Sequence, residues 1–177
     1  MSNTSKKLNL GCGTDIKEGW VNLDSVKLPG VDIVHNIEDI PLPFGGSEFD
    51  EILCQDVLEH VEYIPILKDL YRILKEGGKL GIRVPHFTSV NNFIDPQHKK
   101  RFSVRTFEFF VKNSERRKYY TDFLFDRISS RKITFEPKMI NFLGPIVNIN
   151  YRTMVFYEDS CISNIFSAQN IIVELIK

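Results

Sequence analysis

Short apolar runs, cut by glycine, proline and acidic residues, set the rhythm of the first half of the chain. Residues 8–10, 21–24, 31–34, 51–54 and 80–84 each read as a β-strand bounded by turn signals. Their spacing suits a parallel sheet with crossover connections. The connections at 14–19 and 25–30 are too short for crossovers, which take about 10–12 residues. The first helices are therefore expected to shrink to a turn or less; otherwise two of these runs are antiparallel or are not strands. The clearest helical region is 56–75, where Leu67, Leu70, Tyr71 and Leu74 recur at helical spacing. Pro65 is expected to split it into a short and a longer piece. Gly77-Gly78 is expected to end it and turn the chain into the 80–84 strand. Residues 104–111 read as an amphipathic helix, and 128–135 and 171–176 as two last strands forming an antiparallel edge.

Candidate chemistry begins at the first turn. Leu8-Asn9-Leu10-Gly11-Cys12-Gly13 runs an apolar strand into glycines, and Trp20-Val21-Asn22-Leu23-Asp24 ends the next strand in a carboxylate. Glycine lets backbone approach a ligand closely, and a carboxylate at that strand end can accept hydrogen bonds from both ribose hydroxyls. Together they point to a nucleoside-containing ligand. A dinucleotide fingerprint fits poorly, because Ile16 stands where the third glycine belongs and Asp24 comes too early. No P-loop motif occurs, and no Lys or Arg lies between Gly11 and Ile16 to meet a pyrophosphate. Alone, G-x-G serves equally as an ordinary turn. Gly11 to Gly13, Asp24, Asn36-Ile37, Gln55-Asp56 and Pro85-His86 all fall at carboxyl ends of the expected strands, the rim where open α/β sheets bind ligands.

The ordered set LNLGCG, GWVNLD, VDIVHNIEDIPLPF, SEFDEILCQDVLEHV and LYRILKEGGKLGIRVP covers roughly residues 8–85. It resembles the class I S-adenosylmethionine-dependent methyltransferases, specifically their small type 11 group. The resemblance implies an α/β, Rossmann-like fold: a mostly parallel sheet with an antiparallel edge hairpin and, here, trimmed first helices. It implies S-adenosylmethionine as cofactor, with Gly11, Cys12 and Gly13 under its methionine part and Asp24 on the ribose. Asn36 and Ile37 would border the adenine, Asn36 replacing an aspartate common there. Asn9 sits where the family often has an acid, and Gln55, Asp56 and His60 would lie on the cofactor side. The closing FYEDSCISNIFSAQNIIVELIK resembles the family's final helix and strand.

Two further segments carry polar chemistry. In Asp56-x-x-Glu59-His60, offsets of three and four would place the side chains on one helical face. That face reads as a general base or metal site, or as an N-cap with its capping-box partner and a packed histidine. The segment from His86 to Ser89, with Asp95-Pro96-Gln97-His98 and on to Phe102 after it, follows the last rim strand and is expected over the pocket. It resembles a segment of a methyltransferase subgroup often encoded near cell-surface glycan functions. His86 and His98 are the candidate catalytic bases, with Asp95 orienting one of them; Asp95-Pro96 equally suits a turn and helix start. No H-x-D or H-E-x-x-H spacing supports a metal, and none is expected.

With 177 residues, 42% of them hydrophobic, the chain is expected to form a single domain over 1–177, with 86–120 as a substrate or lid segment. The formal net charge of zero disfavours nucleic acid as partner. Lys99, Lys100, Arg101, Arg105, Lys112, Arg116, Arg117 and Lys118 alternate with Phe and Tyr; they suit an anionic substrate or the solvated face of an amphipathic helix. Three scattered cysteines suit a reducing cytosol. No signal peptide or membrane span is expected. A small polar acceptor is expected, a sugar or sugar-nucleotide hydroxyl being the class suggested. A homodimer or a lid would complete the pocket. The competing readings are a nucleotide-dependent oxidoreductase and a non-catalytic cofactor-binding protein of the same fold.

Overall fold

A computed structural model describes residues 5–116, 119, 121–136 and 142–177. The first five strands are β1 (Lys7–Leu10), β2 (Val21–Asp24), β3 (Ile33–Val34), β4 (Phe49–Gln55) and β5 (Leu74–Pro85). Helix α1 (Tyr63–Ile73) joins the last two. After β5 come α2 (Asn91–Ile94), a 3₁₀ turn (Thr106–Phe110), β6 (Arg127–Ile133), α3 (Leu143–Val147), α4 (Tyr151–Asp159), α5 (Ile162–Ile165) and β7 (Asn170–Ile176). The described strands form one sheet in the order β3-β2-β1-β4-β5-β7-β6. β3 through β5 pair in parallel, and β7 and β6 pair antiparallel at the other edge. The fold is the expected Rossmann-like arrangement with its antiparallel edge.

No helix forms in the connections at 11–20 and 25–32, and both nonetheless link parallel strands. Side-chain amides satisfy the loop backbone in place of helices. Asn9 Nδ2 donates to the Asp15 carbonyl (2.7 Å) and to Asn22 Oδ1 (3.1 Å). Asn22 Oδ1 accepts from the Lys17 amide, and its Nδ2 donates to the Lys17 carbonyl. The Asn22 amide donates to Asp32 Oδ2 (2.8 Å). A backbone too short to pair with itself is thus paired by two asparagines and an aspartate.

Three local expectations need correction. Residues 57–60 form turns, and helix begins only at Tyr63. Pro65 then lies in the first turn of α1, where a missing amide costs nothing, so it interrupts nothing. α1 buries Ile66, Leu67, Leu70 and Ile73, but Leu74 already belongs to β5. Gly77-Gly78 lies inside β5, in an irregular step where Phe49 faces Leu74 and Glu51 faces Lys79. At 104–111 the chain forms a single 3₁₀ turn that still buries Phe107 and Phe110. Phe102 stacks on Phe107 and meets the Tyr63 ring edge-on, filling the space beside α1.

Candidate functional site

Two adjoining cavities open at the carboxyl ends of the parallel strands. The first, about 590 Å³, is lined by Gly11, Asp24, Asn36, Ile37, Asp56, Val57, His60, Gln97 and neighbours. The second, about 450 Å³, is lined by Asp56, Glu59, His60, Arg83, Asn91, Asp95, His98, Asn170 and neighbours. Asp56 and His60 form their shared wall.

The first cavity is built by the turn after β1. Gly11 holds φ +66°, and an added Cβ would stand 2.4 Å from Val57 Cγ2. Only glycine lets backbone and Val57 meet there. The Gly13 amide donates to Asp24 Oδ2 (2.8 Å) and the Val26 amide to Oδ1 (3.0 Å). The carboxylate is thereby fixed in orientation, and each oxygen keeps capacity for another donor. A rigid acid beside a side-chain-free strand end is what a nucleoside requires, so these residues fit an adenosyl cofactor.

Some expected cofactor residues act one step back. Asn9 and Cys12 are buried and line neither cavity. Asn9 braces the loop as described above, and the Cys12 amide donates to the Leu23 carbonyl. Gly13 touches the site through its amide on Asp24. Gln55 ends β4 outside both linings.

The second cavity is polar and acidic. Asp56, at φ +55°, hydrogen-bonds the Arg83 guanidinium, and Arg83 Nε reaches Asp56 Oδ1 at 3.0 Å. Glu59 has no exposed surface, and neither carboxylate oxygen has a hydrogen-bond partner among the described residues. The expected capping box is therefore absent. Burial, with the Asp56 charge adding to it, pushes the Glu59 carboxyl up to about 7. The His60 imidazole is pushed below its ordinary value by burial and then by His98. His98 lies edge-on to His60, ring centroids 4.6 Å apart, and its Nε2 is 3.7 Å from Asp95 Oδ2. Turns carry Glu59 and His60, while Asp95 and His98 come from the chain after α2. The two segments are joined where the Lys99 and Lys100 amides both donate to the Glu59 carbonyl (2.8 and 3.1 Å).

His86 departs from its expected place over the pocket. It is fully enclosed, its Nδ1 accepting from the Thr88 amide (3.2 Å) and its Nε2 facing Glu158 Oε1 (3.2 Å). Glu158 also accepts from the Val104 amide (2.8 Å) and the Ser103 hydroxyl. Burial alone would raise the Glu158 pKa; these three hydrogen bonds outweigh it and hold the carboxyl below its usual range. His86 thus anchors α4 to the segment after β5. The basic residues are largely engaged as well. Lys100 pairs with Glu62, Arg105 with Asp159, Lys112 with Asp126 and Arg116 with Glu108. Arg117 and Lys118 lie outside the described residues.

Arg83, Val57, Gln97, Asn91 and Asn170 line the cavities and were not singled out from sequence. Arg83 had a signal: it lies near the end of β5, paired with Gln55, the residue before Asp56. Asn170 had none, because it reaches the rim only through the antiparallel pairing of β7 with β5.

Residues 5–82 match a family described as a methyltransferase domain, in its type 11 group. That stretch, β1 through most of β5, is similar to the type 11 methyltransferase domain. An uncharacterized protein of Methanocaldococcus jannaschii is 37% identical over 82 residues, covering 41% of this chain and 36% of that protein. Demethylmenaquinone methyltransferase of Listeria welshimeri is 34% identical over 74 residues, covering 38% of this chain and 31% of that enzyme. The chain thus spans about a third of the length of these curated relatives. A crystal structure of an S-adenosylmethionine-dependent methyltransferase from Archaeoglobus fulgidus superposes with TM-score 0.62 at 18% identity, over 98% of this chain and 86% of that one. The likeness in fold therefore extends beyond residues 5–82 to nearly the whole chain. Among the described residues, no helix is long and apolar enough to cross a membrane.

Proposed function

We propose that this chain transfers a methyl group from S-adenosylmethionine to the hydroxyl of a small polar acceptor, a sugar-type hydroxyl being the class favoured. The observation that carries the reading is the fixed Asp24 carboxylate beside Gly11, in a cavity that shares the Asp56–His60 wall with a second, polar cavity. S-adenosylmethionine, when bound, supplies an electrophilic methyl group. The chain then has two tasks, orienting the two partners and easing the acceptor's proton away. Orientation of this kind supplies about 7–11 kcal/mol of a bimolecular barrier.

In this reading Asp24 takes the ribose hydroxyls, Asn36 and Ile37 border the base, and Gly11 admits the methionine portion. The second cavity takes the acceptor, and Asn91, Asp95 and His98 of the segment after β5 supply part of its wall. His98, with Asp95 behind it, is the group placed to promote proton loss. His86 serves only to hold that wall. Calorimetry with S-adenosylhomocysteine and with NADH tests the cofactor side. Binding of the first and not the second is expected; the reverse would make the chain a nucleotide-dependent oxidoreductase. Transfer of label from methyl-labelled cofactor to sugar nucleotides, against amine acceptors as control, tests the acceptor class.

A further inference from the structure

The second cavity contains a group that cofactor binding leaves unexplained. Glu59 is completely buried with both oxygens unpartnered, and a buried carboxylate without a partner is among the costliest arrangements a fold can keep. Arg83, which acts on it through space, is hydrogen-bonded to Asp56 instead. Two more buried orphans lie beside it, the Nδ1 atoms of His60 and His98. One ligand atom from each of Glu59, His60 and His98 falls within 4.8 Å of the other two.

We propose that Glu59, His60 and His98 bind one divalent first-row transition ion, with its open coordination positions facing the acceptor cavity. Two imidazoles and one carboxylate are a donor set suited to zinc, cobalt or ferrous iron. Ligands at 2.0–2.2 Å from one ion stand about 3–4 Å apart, so small rotations of the side chains close the set. Metal-bound histidines commonly carry an oxygen on the other ring nitrogen, and Asp95 stands near His98 for that role. His98 turns its Nε2 toward Asp95 Oδ2 at 3.7 Å while its Nδ1 stays free. Gln97 lines the first cavity beside His60, whose Nδ1 has no hydrogen-bond partner. The Glu59 carbonyl holds the Lys99 and Lys100 amides, fixing the segment that carries His98 against the segment that carries the other two. Neither segment has metal-ligand spacing by itself; the set exists only because they meet.

The site deepens the methyltransferase reading and rests on it for its role. An acceptor oxygen that joins the ion gives its O–H proton to solvent more readily. His98 then promotes proton loss as a ligand, not as a free base.

The test uses the whole chain, stripped with chelator and titrated with Co²⁺ in a visible spectrometer, with Zn²⁺ as competitor. One equivalent of cobalt is expected to raise ligand-field absorption that zinc abolishes. His98→Ala and Glu59→Gln are expected to weaken binding at least 100-fold, and Asp95→Asn by about 10–100-fold. Circular dichroism confirms that each variant is folded, and the wild-type spectrum stands without them. Absence of a cobalt spectrum in wild-type protein that binds S-adenosylhomocysteine overturns the metal site and leaves the methyltransferase reading intact. A cobalt spectrum that survives both ligand substitutions overturns the assignment as well. Cobalt binding without S-adenosylhomocysteine binding supports the metal site and removes the role given to it.

Discussion

The Gly13 amide donates a 2.8 Å hydrogen bond to Asp24 Oδ2, tying the turn after β1 to the end of β2. With the Val26 amide on Oδ1, the carboxylate is held by backbone from both sides. Replacing Asp24 with Ala removes the acceptor for the ribose and frees the Gly13 turn. Charge-assisted hydrogen bonds are worth about 1.5–3 kcal/mol each, so S-adenosylhomocysteine should bind Asp24→Ala at least 10-fold more weakly by calorimetry. Unchanged affinity would remove Asp24 from the site.

Gly11→Ala should fail for two separable reasons. The positive φ costs an alanine about 1–2 kcal/mol, and its Cβ collides with Val57. Cofactor affinity should fall about 10-fold or more. Adding Val57→Ala should restore the steric part but not the conformational part. A double variant no better than the single one would show that contact with Val57 is unimportant.

Glu158 predicts an acid-sensitive corner. Its folded pKa lies below the ordinary value of 4.5. Its contribution is therefore complete above about pH 4.5 and is lost as pH falls through the lower folded value. Glu158→Gln should cost about 1–3 kcal/mol near neutrality. Urea midpoints of wild type and variant should converge as the pH falls below about 4.5. A constant gap would mean that the His86–Glu158 contact is not ionic.

Metal removal should show in thermal stability. At a hundredfold excess over its dissociation constant, an ion that binds only the folded chain adds about 2.7 kcal/mol. In a chain of this size that is roughly 5–10 °C. Scanning calorimetry should find cobalt-loaded protein melting higher than chelated protein by that amount. Glu59→Gln should show no difference between the two conditions.

The sheet was legible because parallel strands buried on both sides write themselves as apolar runs. Leu8, Leu10, Ile52, Ile82 and Val84 are buried where those runs placed them. The trimmed connections were legible from length alone. Helix starts were not. Pattern did not show that 57–60 would stay in turns, because helical spacing there reflects burial of Val57, Leu58 and Val61 and not a helix. The cofactor rim was legible at Gly11 and Asp24, which sit at strand ends. The second cavity was half legible: His98 and Asp95 line it, whereas His86 is enclosed away from it. A histidine after a rim strand points into the cavity or away from it according to one turn. Thr88 and Glu158, 72 residues apart in the case of Glu158, decide that turn here.

The sheet ends on one side in the two-residue β3 and on the other in β6, where Arg127, Arg131 and Lys132 line a strand kinked between Ile128 and Ser130. Neither border offers a long, neutral row of main-chain groups for a foreign strand to extend. Short length at one border, and charge with a register shift at the other, both work against growing the sheet across chains. A second copy would then dock more readily on side-chain surfaces than on either sheet border.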